Sequence, residues 1–172
     1  KLYFEDEILL NTSITEEKAK AMELLGDFKK QDVKKLWSNF YEDYFEASDH
    51  QDLQIHARNI LLSKGMSNIK LFQKDADSLT TIFINTQDRA NLFATIIGVL
   101  DSENINFVDA KLFGMKNGYC TDLITISDNG KRVELYSEKA KVLIDKLEEA
   151  ITPRILKPKI VQRRQPRNLR HF

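Results

Sequence analysis

The sequence has one cysteine, three prolines, six glycines and no net charge in 172 residues. A single thiol, Cys120, excludes an internal disulfide and fits a reducing, cytoplasmic setting. No apolar run approaches the roughly 18–20 residues needed to span a bilayer, and no signal peptide opens the chain. The three histidines, His50, His56 and His171, are scattered and none precedes an aspartate. No His-Asp pair of the phosphohydrolase type therefore exists, and no metal site is expected. With 26 basic and 26 acidic residues, the overall field selects neither nucleic acid nor membrane.

All three prolines (Pro153, Pro158 and Pro166) fall after Ile151. That stretch also carries Arg154, Lys157, Lys159, Arg163, Arg164, Arg167 and Arg170 with no acid. It reads as a basic tail or linker. The chain opens on Lys1 in an apolar-aromatic segment (Leu2, Tyr3, Phe4) and stops at His171-Phe172. It is read as a piece of a longer polypeptide.

Up to about Lys64 the pattern is helical. Ile8, Leu9 and Leu10 are expected to end an opening helix or turn. Thr12, Ser13 and Thr15 are expected to start the next, with Glu16 and Glu17 favoured by its dipole. Ala21, Met22, Leu24, Leu25 and Phe28 follow at helical spacing. Leu36, Trp37, Phe40 and Tyr41 form a second stripe, with Tyr44 and Phe45 just beyond. Ser48 and Asp49 cap a third helix carrying Leu53, Ala57, Ile60 and Leu61, which Gly65 ends.

From Ile69 the period becomes alternating. Ile69 and Leu71 suggest a short strand, and Leu79–Asn85 a second one rich in β-branched and aromatic residues. Leu92, Phe93, Ile96, Ile97 and Leu100 mark one helix face. Ile105–Phe113 and Tyr119–Ile126 alternate again around the Asn117-Gly118 turn. Ser137 caps a helix with Ala140, Leu143, Ile144, Leu147 and Ala150 inward, and Arg154–Lys157 is a candidate closing strand. The class is α+β: short helices, then a ferredoxin-like β-α-β-β-α-β domain with both helices on one face of an antiparallel sheet. The expected divisions are 1–65 helical, 66–77 strand and connector, 78–158 the sheet domain, and 159–172 the basic linker.

Asp88-Arg89-Ala90-Asn91-Leu92-Phe93, after the first strand of that domain, resembles the signature loop of ACT regulatory domains, usually Asp-Arg-Pro-Gly-Leu. Asn104-Ile105, Val108-Asp109-Ala110, Phe113, Asn117-Gly118-Tyr119 and Asp122 continue the likeness in order. Leu2-Tyr3-Phe4, then Trp37, Phe40, Tyr44 and Phe45, then His56-Ala57-Arg58, and finally Arg163-Arg164-Gln165-Pro166 through His171-Phe172 narrow it. Together they resemble the bifunctional uridylyltransferase/uridylyl-removing enzymes that modify the nitrogen regulatory protein PII. The resemblance implies a parent with a nucleotidyltransferase domain, an HD hydrolase domain and two ACT domains. Residues 1–65 would then be the end of the HD domain plus a bridge, followed by the first ACT domain and a linker to the second. It also implies glutamine as the signal, and UTP and Mg²⁺ used by the parent, with no cofactor and no catalytic site in this segment.

The candidate ligand residues are Asp88, Arg89, Ala90, Asn91 and Leu92, because backbone N–H groups at a helix start favour an amino-acid carboxylate. Ala90-Asn91 replaces the usual Pro-Gly. Asn adopts positive φ but keeps a side chain, which either crowds the pocket or adds a polar contact. The bland alternative is an N-cap at a degenerate site. Asn106 and Asp109 are candidates for holding the ligand's amino group across a domain interface, against the alternative of solvated strand residues. Asp75-Ala76-Asp77 has a Mg²⁺-binding spacing but reads as a solvated loop. Cys120 reads as inert.

Three functional readings follow. The first is a glutamine-responsive regulatory segment whose partners are a second ACT domain, the parent's catalytic domains and, through them, PII. The second is an ACT module that only pairs, including as a homodimer. The third, remote, is an RNA binder on the same fold plan, disfavoured because Thr121 and Leu123 stand where stacking aromatics are needed.

Overall fold

A computed structural model describes residues 2–75 and 78–152. Four helices come first: α1 (Leu2–Leu24), α2 (Lys30–Trp37), α3 (Glu42–Glu46) and α4 (His50–Ser63). Then follow β1 (Asn68–Phe72), β2 (Thr80–Gln87), α5 (Leu92–Ser102), β3 (Asn106–Gly114), β4 (Tyr119–Ser127) and α6 (Glu138–Ile151).

The break expected near Thr12 does not occur, and α1 is continuous. The Thr12 and Thr15 hydroxyls donate to the carbonyls of Ile8 and Asn11, one turn back (both 2.9 Å). Hydroxyl groups satisfied in this way no longer compete as caps. The start of α4 matches expectation: the Asp49 carboxylate accepts from Asp52 N–H (2.9 Å) and Asp52 accepts from Asp49 N–H (3.0 Å), a reciprocal capping box. Lys64 in the left-handed region and Gly65 at φ +85° end it.

The sheet is antiparallel throughout, in the order β1-β2-β4-β3. It takes in Asn68–Phe72, a strand the sequence reading leaves outside the domain. That strand pairs with β2 from Asn68↔Asn85 to Phe72↔Thr81. It holds the β2 edge that a closing strand takes in a β-α-β-β-α-β plan. The candidate closing strand Arg154–Lys157 and the basic linker lie outside the described residues.

Period-two burial gives the sheet two apolar faces. One face carries Ile82, Ile84, Cys120, Ile124 and Ile126, which pack with Leu92, Ile96 and Leu100 of α5 and Ala140, Leu143 and Leu147 of α6. Each fully buried aliphatic side chain there contributes about 1.5–3 kcal/mol. The other face is covered by the first four helices. Phe113 and Met115 join Trp37, Phe40, Tyr44 and Phe45 in one aromatic cluster, with Phe40 stacked on Tyr44 at 3.8 Å between ring centres. Backbone ties fix the junction: Lys116 N–H donates to the Asn39 carbonyl (2.7 Å), and the Tyr119 hydroxyl donates to the Gly65 carbonyl (2.7 Å).

Candidate functional site: the β2–α5 loop and its cleft

The loop that carries the candidate ligand residues leaves β2 at Gln87 and enters α5 at Leu92. Asp88 is anchored by its N–H to the Gly118 carbonyl (3.0 Å) and stays exposed. Arg89 turns away: its Nη2 donates to the Ala150 carbonyl (2.9 Å), satisfying an acceptor in the last turn of α6. Ala90 is exposed and Leu92 is buried in the core.

Asn91 adopts φ +66°, the left-handed conformation that a glycine would take without strain. No side chain caps α5; Leu92 N–H donates to the Arg89 carbonyl (3.4 Å), and the dipole's positive end lies at the other first-turn amides. The Asn91 Oδ1 is buried without a hydrogen-bond partner.

Between α5 and β3 lies a cleft of about 840 Å³, lined by Asp88, Arg89, Asn91 and Leu92 together with Phe93, Ile97, Leu112 and Asp122. That size suits a small ligand. Asp122 is the residue the sequence reading does not assign to a site. It lies on β4 opposite Ile84 and Leu112 and is 4% exposed. Burial pushes its carboxyl up to about 7, and the nearby charge of Asp88 pushes the same way. Beside it, burial and then the Asp122 charge push the Cys120 thiol up to about 12, which keeps it inert. The signal was present in the sequence: an acid at a core-facing position of a strand whose alternate residues are Cys120, Ile124 and Ile126.

Asn106 and Asp109 are not brought to this cleft. The Asn106 Oδ1 accepts from Asn129 N–H (2.9 Å) near the far end of β3. Asp109 lines a separate cleft of about 390 Å³ on the helical side of the sheet, with Asp52, His56 and Lys74. There His56 is buried, its Nδ1 2.8 Å from the Tyr44 hydroxyl and its ring stacked on Phe83. Burial lowers its pKa to about 3. His56 thus sits at the junction of the helical part and the sheet.

His50 pairs through Nδ1 with Glu17 (2.9 Å). Of Asp75-Ala76-Asp77, only Asp75 lies within the described residues, where it accepts from the Ser78 hydroxyl (2.9 Å). Among the described residues no group of three or more His, Cys, Asp and Glu side chains is placed to share a metal ion. Thr121 and Leu123 face the helical cluster, Thr121 fully buried, so the sheet face that a base would stack on is occupied. No described helix is long and apolar enough to cross a membrane.

Residues 10–68 match the family described as uridylyltransferase GlnD fifth domain. That span covers most of α1 through the start of β1. A bifunctional uridylyltransferase/uridylyl-removing enzyme of Vibrio cholerae is 34% identical over 150 residues, 84% of this chain and 17% of the relative. An enzyme of the same description from Acinetobacter baumannii is 30% identical over 164 residues, 92% of this chain and 18% of the relative. The chain is related to the bifunctional uridylyltransferase/uridylyl-removing enzymes. It spans about a sixth of the length of these relatives, 17–18%. The likeness runs through both the helical part and the sheet domain, since 150 residues cannot fit in either alone. No solved structure matches the chain.

Proposed function

We propose that this chain is a regulatory segment of an enzyme that attaches uridylyl groups to the protein PII and removes them, and that glutamine is the signal it reads. The relation to enzymes of that description over 84–92% of the chain carries the first half. The second half rests on the cleft at the Asp88–Leu92 loop, where uncapped α5 amides and the left-handed Asn91 leave backbone donors toward a small ligand. Uridylyl transfer with UTP and Mg²⁺, and uridylyl removal, belong to other parts of a longer cytoplasmic polypeptide in this reading. Glutamine acts by differential affinity: it binds one arrangement of the regulatory and catalytic parts better than another and shifts the population.

The direct test is an NMR titration of the chain with L-glutamine. Shifts concentrated at Asp88–Ala94 are expected, and an unperturbed loop at saturating glutamine removes this chain as a sensor. In the full-length polypeptide, substitutions in the loop are then expected to change the glutamine dependence of PII modification without abolishing the reaction.

A second reading, pairing without sensing, draws on the β3 edge of the sheet, which pairs with no further strand among the described residues. β3 exposes Phe107, Val108 and Leu112, each between 45% and 48% accessible, with a bulge at Val108. Sedimentation of the chain distinguishes the two: a stable dimer indifferent to glutamine supports pairing.

A further inference from the structure

Asp122 makes no ion pair among the described residues that accounts for its burial. An ionisable carboxyl placed on the core face of a strand is costly unless it is paired. Its hydrogen-bond partner among the described residues is the Cys120 thiol, a weak donor. Among the described residues the cationic side chain lining the same cleft is Arg89, whose Nη2 is directed to the Ala150 carbonyl and which makes no ion pair with Asp122. The remaining charged groups lining the cleft are Asp88 and Asp101, both acidic. The field at Asp122 therefore favours a cation brought from outside.

The start of α5, in the same lining, has the reverse character. There the first-turn amides of α5 offer donors without a side-chain cap, and the helix dipole favours an anion. Phe93, Ile97 and Leu112 supply apolar wall in the same cleft. A buried carboxyl, backbone donors and hydrocarbon in one lining match a zwitterion. They do not match a lone anion, which the acid excess repels. They do not match a metal ion, for which no ligand set is assembled among the described residues.

We propose that Asp122 is the residue that holds the ammonium group of an amino-acid ligand in this cleft. The inference rests on the reading of the Asp88–Leu92 loop as a ligand site and adds the residue that selects for a free α-amine. It moves the amine-binding role from Asn106 and Asp109 on β3 to the core face of β4. The unpartnered Asn91 Oδ1 is a second acceptor in the lining. An ammonium group binds the ionised carboxylate, so affinity rises with pH as Asp122 loses its proton. The groups that face Asp122 and modulate that titration are Cys120 on its own strand and Asp88, with Arg89 and Asp101 in the same lining.

The test is calorimetric titration of the chain with L-glutamine and with N-acetyl-L-glutamine at pH 6 and pH 8. Glutamine is expected to bind roughly tenfold tighter at pH 8, the gain from ionising a group that titrates near 7. The acetylated ligand, without a cationic nitrogen, is expected to bind at least about tenfold more weakly. Asp122→Asn keeps the shape, and is expected to lose about ten- to a hundredfold in glutamine affinity together with the pH step. A carboxyl-carbon NMR titration of Asp122 in the unmutated chain keeps the idea testable if that variant does not fold. Saturating glutamine should lower its midpoint by at least about one unit. Glutamine binding that is indifferent to acetylation, to Asp122→Asn and to the Asp122 midpoint overturns this inference and leaves the loop reading standing. No binding of glutamine at all removes both.

Discussion

His56 and Asp122 lie on opposite faces of one sheet, each nearly excluded from water, at 5% and 4% exposed. Their surroundings differ in kind. His56 is enclosed by partners: Tyr44 meets its Nδ1, Phe83 stacks on its ring, and the uncharged form is held by burial. Asp122 is buried among aliphatic residues but opens on a cleft, with a thiol as its neighbour and acids around it. The first arrangement satisfies a polar group in order to join two parts of a chain. The second leaves a buried carboxyl with only a weak thiol donor beside it and no cation paired to it among the described residues, a condition in which a cationic ligand gains by arriving.

If the helical face is a true core, removing its centre has the largest effect. Tyr44 is 1% exposed and touches Phe40, Phe45, Phe113 and His56. Tyr44→Ala should destabilise the chain by about 3–5 kcal/mol through the cavity it leaves, read from urea unfolding. A loss below about 1 kcal/mol would mean the helices and the sheet do not share a core.

The two buried groups also predict opposite pH slopes. The folded state keeps His56 neutral down to about 3, whereas the unfolded chain takes up a proton near 6.5. Stability from His56 is present above 6.5 and is lost as pH falls. Asp122 is the reverse: the unfolded carboxyl ionises near 3.8 and the folded one near 7, so its contribution is lost as pH rises between them. Between about pH 5 and 6.5 the two nearly cancel, and Glu17, Asp27 and Asp49, whose pKa values are lowered, are already ionised. Asp122→Asn should therefore uncover a fall in stability toward acid of roughly 1 kcal/mol per pH unit in that window. His56→Phe should uncover a fall of similar size in the other direction. Urea midpoints collected every half unit give both slopes, and two flat profiles would mean that neither group is buried as described.

The local pattern carried most of the elements and little of their assembly. The Asp49 and Ser137 caps, the apolar stripe of α5 and the alternating strands were all legible, because caps and periodicity are properties of neighbours in sequence. The continuity of α1 was not, because Thr12 and Thr15 read as caps until their hydroxyls are seen to bond one turn back. The role of β1 was not, because its pairing with β2 is a long-range choice that Ile69 and Leu71 do not announce. Asp122 was legible as a position and illegible as a site: the strand pattern marks an acid on the core face, but only the packing of α5 leaves a cleft beside it.

A smaller effect tests the connector between the two regions. Asp49 closes the capping box of α4 and accepts from Lys74 Nζ (2.7 Å) just past β1. Asp49→Ala should cost about 1–2 kcal/mol, mostly the lost cap, since a half-exposed ion pair adds little. Amide exchange at His50–Leu53 should accelerate with it, and exchange in α5 should not.

Asn91 gives the smallest change and separates fold from function most cleanly. Its φ of +66° suits glycine, and its Oδ1 is buried with no partner. Asn91→Gly removes the strain and the orphaned acceptor together, at some cost in the entropy of the unfolded chain. The expected net change is a stabilisation below about 1 kcal/mol, whereas Asn91→Ala, with a Cβ and no local hydrogen bond, should destabilise by about 1 kcal/mol. If the glycine variant is the more stable and binds glutamine less well, the side chain is kept for the ligand at the expense of the fold. If it is more stable and binds equally well, Asn91 contributes conformation alone, and Asp122 is left as the acceptor proposed for the ligand's ammonium group.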